Sequence, residues 1–196
     1  MPTSAPDAGG TLSRVEFTDD RYVVEQSLIR NRYKATDSSG DVVLRGKQKL
    51  FKLKEEFPFE TADGEDAFTV KAGTILDVAG DYTITDAGTG EAIVTLDKNY
   101  TLIHHRWKIR DPDTEALVAK IESTSTLKAV LRSLVSIARL IPHEYEITDA
   151  DGEHVGDISG RFSLRDKYDV HVDDASDVPR EAVVAAAMVI DAIENN

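Results

Sequence analysis

The chain has 196 residues, a length that suits one domain, and 41% of them are hydrophobic, enough for a substantial core. It has no cysteine, which excludes a disulfide framework, a thiolate metal site and a thiol nucleophile and argues for a reducing, intracellular setting. Asp and Glu number 36 against 23 Lys and Arg; the net charge of −13 disfavours nucleic acid as a partner and suits a salt-adapted cytosol, where dense charge is screened and hydrated.

In chain order, residues 1–14 read as a mobile tail. Their first ten lack both a basic run and an apolar stretch, so no signal peptide is expected. Residues 15–196 read as a single domain. Alternation predicts a strand at 21–25 and then four copies of one hairpin. Each copy opens on an aromatic and turns at an Asp four residues later: Tyr33 and Asp37, Tyr82 and Asp86, Trp107 and Asp111, Tyr145 and Asp149. Asp accepts local backbone bonds, and Gly40, Gly90 and Gly152 supply the positive φ that closes three of the turns. The third copy has Pro112 and no Gly, so a different turn type is expected there. Further strands are expected at 48–54, 67–71, 102–106, 161–164 and 168–172. Hairpins spaced this irregularly, without intervening helices, point to a barrel or sandwich and not to a solenoid.

Two segments have helical character. Residues 127–141 carry Leu127, Val130, Leu131, Leu134, Ala138 and Ile141 at three- and four-residue steps, with Lys128, Arg132 and Arg139 as the charges. There is no acidic residue from 123 to 142, and the stretch reads as an amphipathic insertion whose Lys128, Leu131, Arg132, Leu134 and Arg139 face a membrane, a partner or one end of the barrel. A strand over 131–137 is the alternative. Residues 179–194 form the second helix, with Asp177 as the cap, Pro179 in the first turn and Glu181 complementing the dipole. Eleven of the twelve residues from Ala182 to Ile193 are apolar. A helix apolar on all sides is buried in protein or lipid, and ~18 Å is too short to cross a bilayer, so this one is expected inside a jacket of strands.

Recognised catalytic patterns are absent: there is no Gly-x-Ser-x-Gly elbow, no phosphate-binding Gly-rich loop and no pair of histidines at i, i+4 among the five present. No enzyme, cofactor or metal site is expected. One local feature stands out. Between 30 and 54, Arg30, Arg32, Lys34, Arg45, Lys47, Lys49, Lys52 and Lys54 face only Asp37 and Asp41, an excess of +6 that leaves −19 for the rest of the chain. Arg45, Lys47 and Lys49 alternate, as do Arg30, Arg32 and Lys34, so each trio shares a strand face and the two faces converge if the strands pair. The bland reading is a solvated face or a guarded strand edge.

Residues 22–25, 28–33 and 37–40, the run Gly46-Lys-Gln-Lys-Leu-Phe-Lys-Leu and the run Gly160-Arg-Phe-Ser-Leu-Arg-Asp-Lys-Tyr-Asp-Val resemble the LURP-one-related proteins of the Tubby C-terminal-like group, with the phospholipid scramblases as distant relatives. The likeness extends over about 15–194. It implies a mainly β fold with α, a closed antiparallel barrel of about twelve strands around a central apolar C-terminal helix. Tubby domains bind phosphoinositide head groups. By that analogy Arg30, Arg32, Lys34, Arg45, Lys47 and Lys49 become candidates for an anionic phospholipid, with peripheral contact at the inner membrane surface. The competing expectations are a protein-interaction scaffold and scramblase-like lipid transfer; the chain lacks the cysteine-rich stretch that scramblases carry.

Overall fold

The structure, a computed structural model, describes residues 12–26, 33–46, 57–73, 81–100, 105–124, 144–161, 167–173 and 176–194. Twelve antiparallel strands are present: β1 (Arg21–Gln26), β2 (Tyr33–Thr36), β3 (Val42–Gly46), β4 (Phe57–Thr61), β5 (Asp66–Ala72), β6 (Asp81–Asp86), β7 (Ala92–Tyr100), β8 (His105–Arg110), β9 (Leu117–Ser123), β10 (Glu144–Asp149), β11 (His154–Gly160) and β12 (Lys167–Val172). Each pairs with its neighbours in sequence, and β1 pairs with β12 from Arg21↔His171 to Glu25↔Lys167, so the sheet closes into a barrel. Closure leaves no strand edge open to wrong pairing.

Five hairpins, not four, build the wall. All have the same form. An inward aromatic opens the first arm, an inward residue follows two positions on, and the turn begins two positions later: Tyr33, Ala35, Asp37; Phe57, Phe59, Thr61; Tyr82, Ile84, Asp86; Trp107, Ile109, Asp111; Tyr145, Ile147, Asp149. In each hairpin the register shifts by one residue just before the turn, as between Ala35 and Thr36 or between Ile147 and Thr148. A bulge at that place sharpens the local twist the barrel needs. The β4–β5 hairpin escapes the sequence pattern because Thr61 stands where the others have Asp; its hydroxyl accepts the Glu65 amide at 3.3 Å and replaces the carboxylate.

The turn chemistry follows the residues. Asp37 Oδ1 accepts the Ser39 and Asp41 amides at 3.0 and 2.8 Å, and Asp149 Oδ1 accepts those of Asp151 and Glu153, both at 2.9 Å. Gly40 and Gly152 close these turns at φ of 90° and 91°. In the β8–β9 turn, which has no glycine, Glu115 takes the left-handed conformation at φ 59°, at a cost of about 1–2 kcal/mol for a residue with a Cβ.

The C-terminal helix α1 (Arg180–Glu194) enters at the hairpin end of the barrel, termed the lower rim here. The Ser176 hydroxyl accepts the Val178 amide, and the Pro179 carbonyl takes the first intrahelical bond from Val183. Every residue from Ala182 to Ile190 is buried, at most 5% exposed. The inward row that surrounds α1 includes Tyr22, Leu44, Phe59, Phe68, Leu96, Trp107, Ile121, Ile147 and Val170. Ala185, Ala186 and Ala187 keep the helix thin, which lets twelve strands close around it with side chains filling the gap.

Residues 12–20 cross the lower rim as a strap. Leu12, Val15 and Phe17 are buried beneath it, and Phe17 meets Tyr22 edge-on at 5.3 Å. Residues 12–14, within the expected tail, are thus docked; residues 1–11 lie outside the described residues. Of the expected strand 102–106, His105 and Arg106 open β8, where the alternation runs on into Trp107 and Ile109, and residues 102–104 lie outside the described residues. Of the expected strand 161–164, Arg161 follows the end of β11 and the rest lies outside the described residues, as do the whole of the expected strand 48–54 and the amphipathic segment 127–141.

Candidate functional site

The strand order sorts every connection to one rim or the other. The five hairpin turns and the β12–α1 connection lie at the lower rim, in segments 37–41, 62–65, 87–91, 111–116, 150–153 and 173–179. They contain thirteen Asp and Glu and no Lys or Arg. The other six connections, 27–32, 47–56, 73–80, 101–104, 124–143 and 161–166, join strand ends at the opposite, upper rim. They contain eleven Lys and Arg against four Asp and Glu. The connections that join strand ends at the two rims therefore differ in sign, in a chain of net charge −13.

Among the basic candidates, Lys34 and Arg45 lie in the described strands, and they are direct cross-strand partners on the outer face of β2 and β3. The expected convergence of the two strand faces holds at this pair. Both sit in a ladder of mixed sign. Glu25 of β1 lies opposite Lys34 and opposite Lys167 of β12, with its carboxylate 3.5 and 3.9 Å from the two ammonium groups, and Glu60 of β4 lies opposite Arg45. Such cross-strand pairs of opposite charge contribute a few tenths of a kcal/mol to about 1 kcal/mol each and partly neutralise the patch. Arg30, Arg32, Lys47 and Lys49 lie outside the described residues, as do Lys128, Leu131, Arg132, Leu134 and Arg139; the strands that bracket all nine end or begin at the upper rim.

A concave feature on the wall was not read from the sequence. The outer faces of β6, β7 and β8, with the β8–β9 turn, enclose a groove of about 530 Å³. Asp81, Asp97 and Lys108 form one cross-strand row of its wall, and Thr95 and Arg110 form the next. Arg110 is fixed: its Nε donates to Asp97, and its Nη1 donates to the Glu115 carbonyl at 2.8 Å. The signal available in sequence was the alternation of Lys108 and Arg110, but only the β7–β8 register brings Asp97 and Thr95 opposite them.

At the lower rim, Asp86 is the buried charged residue among the described residues, 1% exposed. Burial opposes its ionisation. The bonds it accepts, from Ser13 Oγ at 2.6 and 2.9 Å, from the Gly88 amide at 3.2 Å and from the Ser13 amide, outweigh burial and hold its carboxyl below the ordinary aspartate range. Asp19 is likewise lowered, by the hydroxyl of Ser38 at 2.6 Å and then by its amide at 2.9 Å. Burial pushes the phenol of Tyr22 up, and that of Tyr82 also. Asp86, Asp19 and Tyr22, whose hydroxyl accepts the Asp19 amide at 2.9 Å, fasten the strap, with Arg14 Nη1 donating to the Asp66 carbonyl at 2.8 Å, and they do not converge on a reaction centre. Among the described residues no three His, Asp or Glu side chains are set to hold a metal ion, and no helix is long and apolar enough to cross a membrane.

No curated protein matches the chain. The crystal structure of a protein from Arabidopsis thaliana is similar to it in fold, with a TM-score of 0.57 over 89% of this chain and 91% of that one, at 10% sequence identity. That likeness shows the barrel and nothing of its use. The sequence itself matches the family described as LURP-one-related over residues 42–191, from the start of β3 into the last turns of the central helix, and the chain belongs to that family.

Proposed function

We propose that this chain is a non-enzymatic binding module that engages an anionic ligand, a phospholipid head group at the cytosolic membrane surface, with its upper rim. The observation that carries the reading is the axial sorting of charge: eleven cations in the upper connections, thirteen carboxylates and no cation in the lower ones. A molecule so polarised is turned by an anionic surface, cationic end first, although its net charge is negative. Arg30, Arg32, Lys47 and Lys49, with Lys128, Arg132 and Arg139, would supply the cations, Leu131 and Leu134 the apolar contact, and Lys34 and Arg45 would flank them on the wall. Connections carry function more often than the walls they join.

Vesicle flotation tests this. At about 0.1 M salt the chain should float with vesicles containing 30% phosphatidylserine and remain behind with pure phosphatidylcholine. Reversing Lys47 and Lys49 to Glu should abolish the difference, and ~1 M salt should weaken it, since screening then acts within about 3 Å. Equal flotation with both vesicles, unchanged by the reversal, would overturn the reading.

One observation favours a second reading, that of a protein-interaction scaffold. Lys34 and Lys167 are both engaged by Glu25 on the outer wall, which suits a face built for solubility and stability more than for a ligand. That reading expects no vesicle binding and a defined complex by light scattering.

A further inference from the structure

We propose that the groove on the outer face of β6–β8 is a binding site for a small zwitterion, with its anionic group held by Lys108, Thr95 and Arg110 and its ammonium by Asp81. None of the cations assigned to lipid lines this groove, and the site stands whether or not the upper rim binds lipid.

The first support is shape. A volume of about 530 Å³ lies in the range of roughly 300–1,000 Å³ usual for small-ligand pockets. The second is preorganisation. Arg110 is half-buried, with 29% of its side chain exposed, and is held from two sides, by Asp97 and by the Glu115 carbonyl. Glu115 takes at φ 59° the left-handed conformation that Gly40, Gly64, Gly90 and Gly152 take in the other four turns, and from there it presents its carbonyl to the arginine. The third is an available cation. Lys108 is half-buried in the groove wall and makes no ion pair with another described residue.

The ligand class follows from the order of charges. Lys108 and Arg110 lie on one strand face, about 7 Å apart, and Thr95 lies opposite Arg110, so two cations and a hydroxyl surround one spot. Arg110 offers that spot its second terminal nitrogen, since Nε and Nη1 are used. Asp81 stands two strands from Lys108 in the same row, about 10 Å away along the backbone, and side chains leaning inward shorten that gap. Asp97, Asp111 and Glu115 add further negative potential, and Lys98 adds a positive charge. A simple anion meets repulsion from these carboxylates, and a simple cation meets Lys108 and Arg110. A molecule with an ammonium a few atoms from a carboxylate or phosphate satisfies both ends, and the opposing walls discriminate against ligands that carry one charge alone.

Isothermal titration of the full chain at low salt tests the assignment, with O-phosphoethanolamine, γ-aminobutyrate, inorganic phosphate and ethanolamine as probes. At least one zwitterion should bind at least 10-fold more tightly than phosphate and ethanolamine. The better of the two identifies the anionic group as phosphate or carboxylate. Lys108→Gln and Asp81→Asn should each weaken that zwitterion at least 10-fold, and Asp81→Asn should bring O-phosphoethanolamine to the level of phosphate. Lys167→Gln, on the wall at β12, should change nothing. Unshifted Trp107 emission shows that each variant is folded. The proposal is overturned if phosphate binds as tightly as the zwitterions, if no probe saturates by ~10 mM, or if Lys108→Gln binds like the parent chain.

Discussion

Ser13→Ala removes the hydroxyl that fastens the strap to Asp86. A hydrogen bond to a charged acceptor contributes about 1.5–3 kcal/mol; Ser13 is exposed and water competes for the carboxylate, so the low end applies, about 1.5 kcal/mol. The strap should stay docked. Leu12, Val15 and Phe17 are buried beneath it, and burying such side chains contributes about 1.5–3 kcal/mol each, more in total than the lost bond. Asp86→Ala should cost more, about 3 kcal/mol, because it also strips the Gly88 amide of its acceptor. In a double-mutant cycle the two changes should couple by at least ~1 kcal/mol, since each removes the same bond. Urea denaturation measures the global cost. Trypsin cleavage after Arg14 measures local opening of the strap, and should quicken about tenfold for each 1.4 kcal/mol lost. The effect also has a pH signature. The folded carboxyl of Asp86 is held below its unfolded value of ~3.9, so its stabilisation is complete above that pH and is lost as pH falls through the folded value. Ser13→Ala should therefore flatten the acid limb of the stability curve. If it leaves the urea midpoint, the Arg14 cleavage rate and the acid limb unchanged, the latch contributes nothing and the reasoning fails.

Other expectations are as direct. A Cβ on Gly88 would lie 2.3 Å from Ser13 Oγ, so Gly88→Ala should reproduce the strap phenotype and add little to Ser13→Ala. A Cβ on Gly156 would lie 2.1 Å from the His171 carbonyl on the facing strand, and Gly156→Ala should destabilise by at least the ~1–3 kcal/mol usual for overpacking, measured by thermal unfolding. Asp37→Ala and Asp149→Ala each remove an acceptor of two turn amides; each should cost about 1 kcal/mol in urea, and the two should add because the turns share no partner. Trp107, the sole tryptophan and fully buried, should emit at short wavelength and resist acrylamide quenching until the barrel unfolds.

Much of the wall was legible as local chemistry. Alternation, an aromatic at the head of the arm and Asp at the turn are short-range signals, so four hairpins could be read from residues within about a dozen positions of one another. The fifth was hidden by one substitution, Thr61 for Asp, in a site where a hydroxyl serves as well as a carboxylate. The central helix was equally plain, because eleven apolar residues of twelve leave no face for water. Its burial from Ala182 to Ile190 bears that out.

What the sequence by itself determined, then, is the set of elements and the demand that one of them be enclosed. The tertiary structure decided everything that depends on register and closure. The pairing of β1 with β12, nearly the length of the chain apart, is not written in either strand. It set Glu25 between Lys34 and Lys167 and so turned part of a basic stripe into a ladder of mixed sign. The β7–β8 register made a groove from residues that are unremarkable in line. Strand order alone revealed the sorting of acidic turns to one rim and basic connections to the other. Local signals act through neighbours in the chain, while charge patterns and grooves arise from neighbours in space, and only the closed barrel defines those.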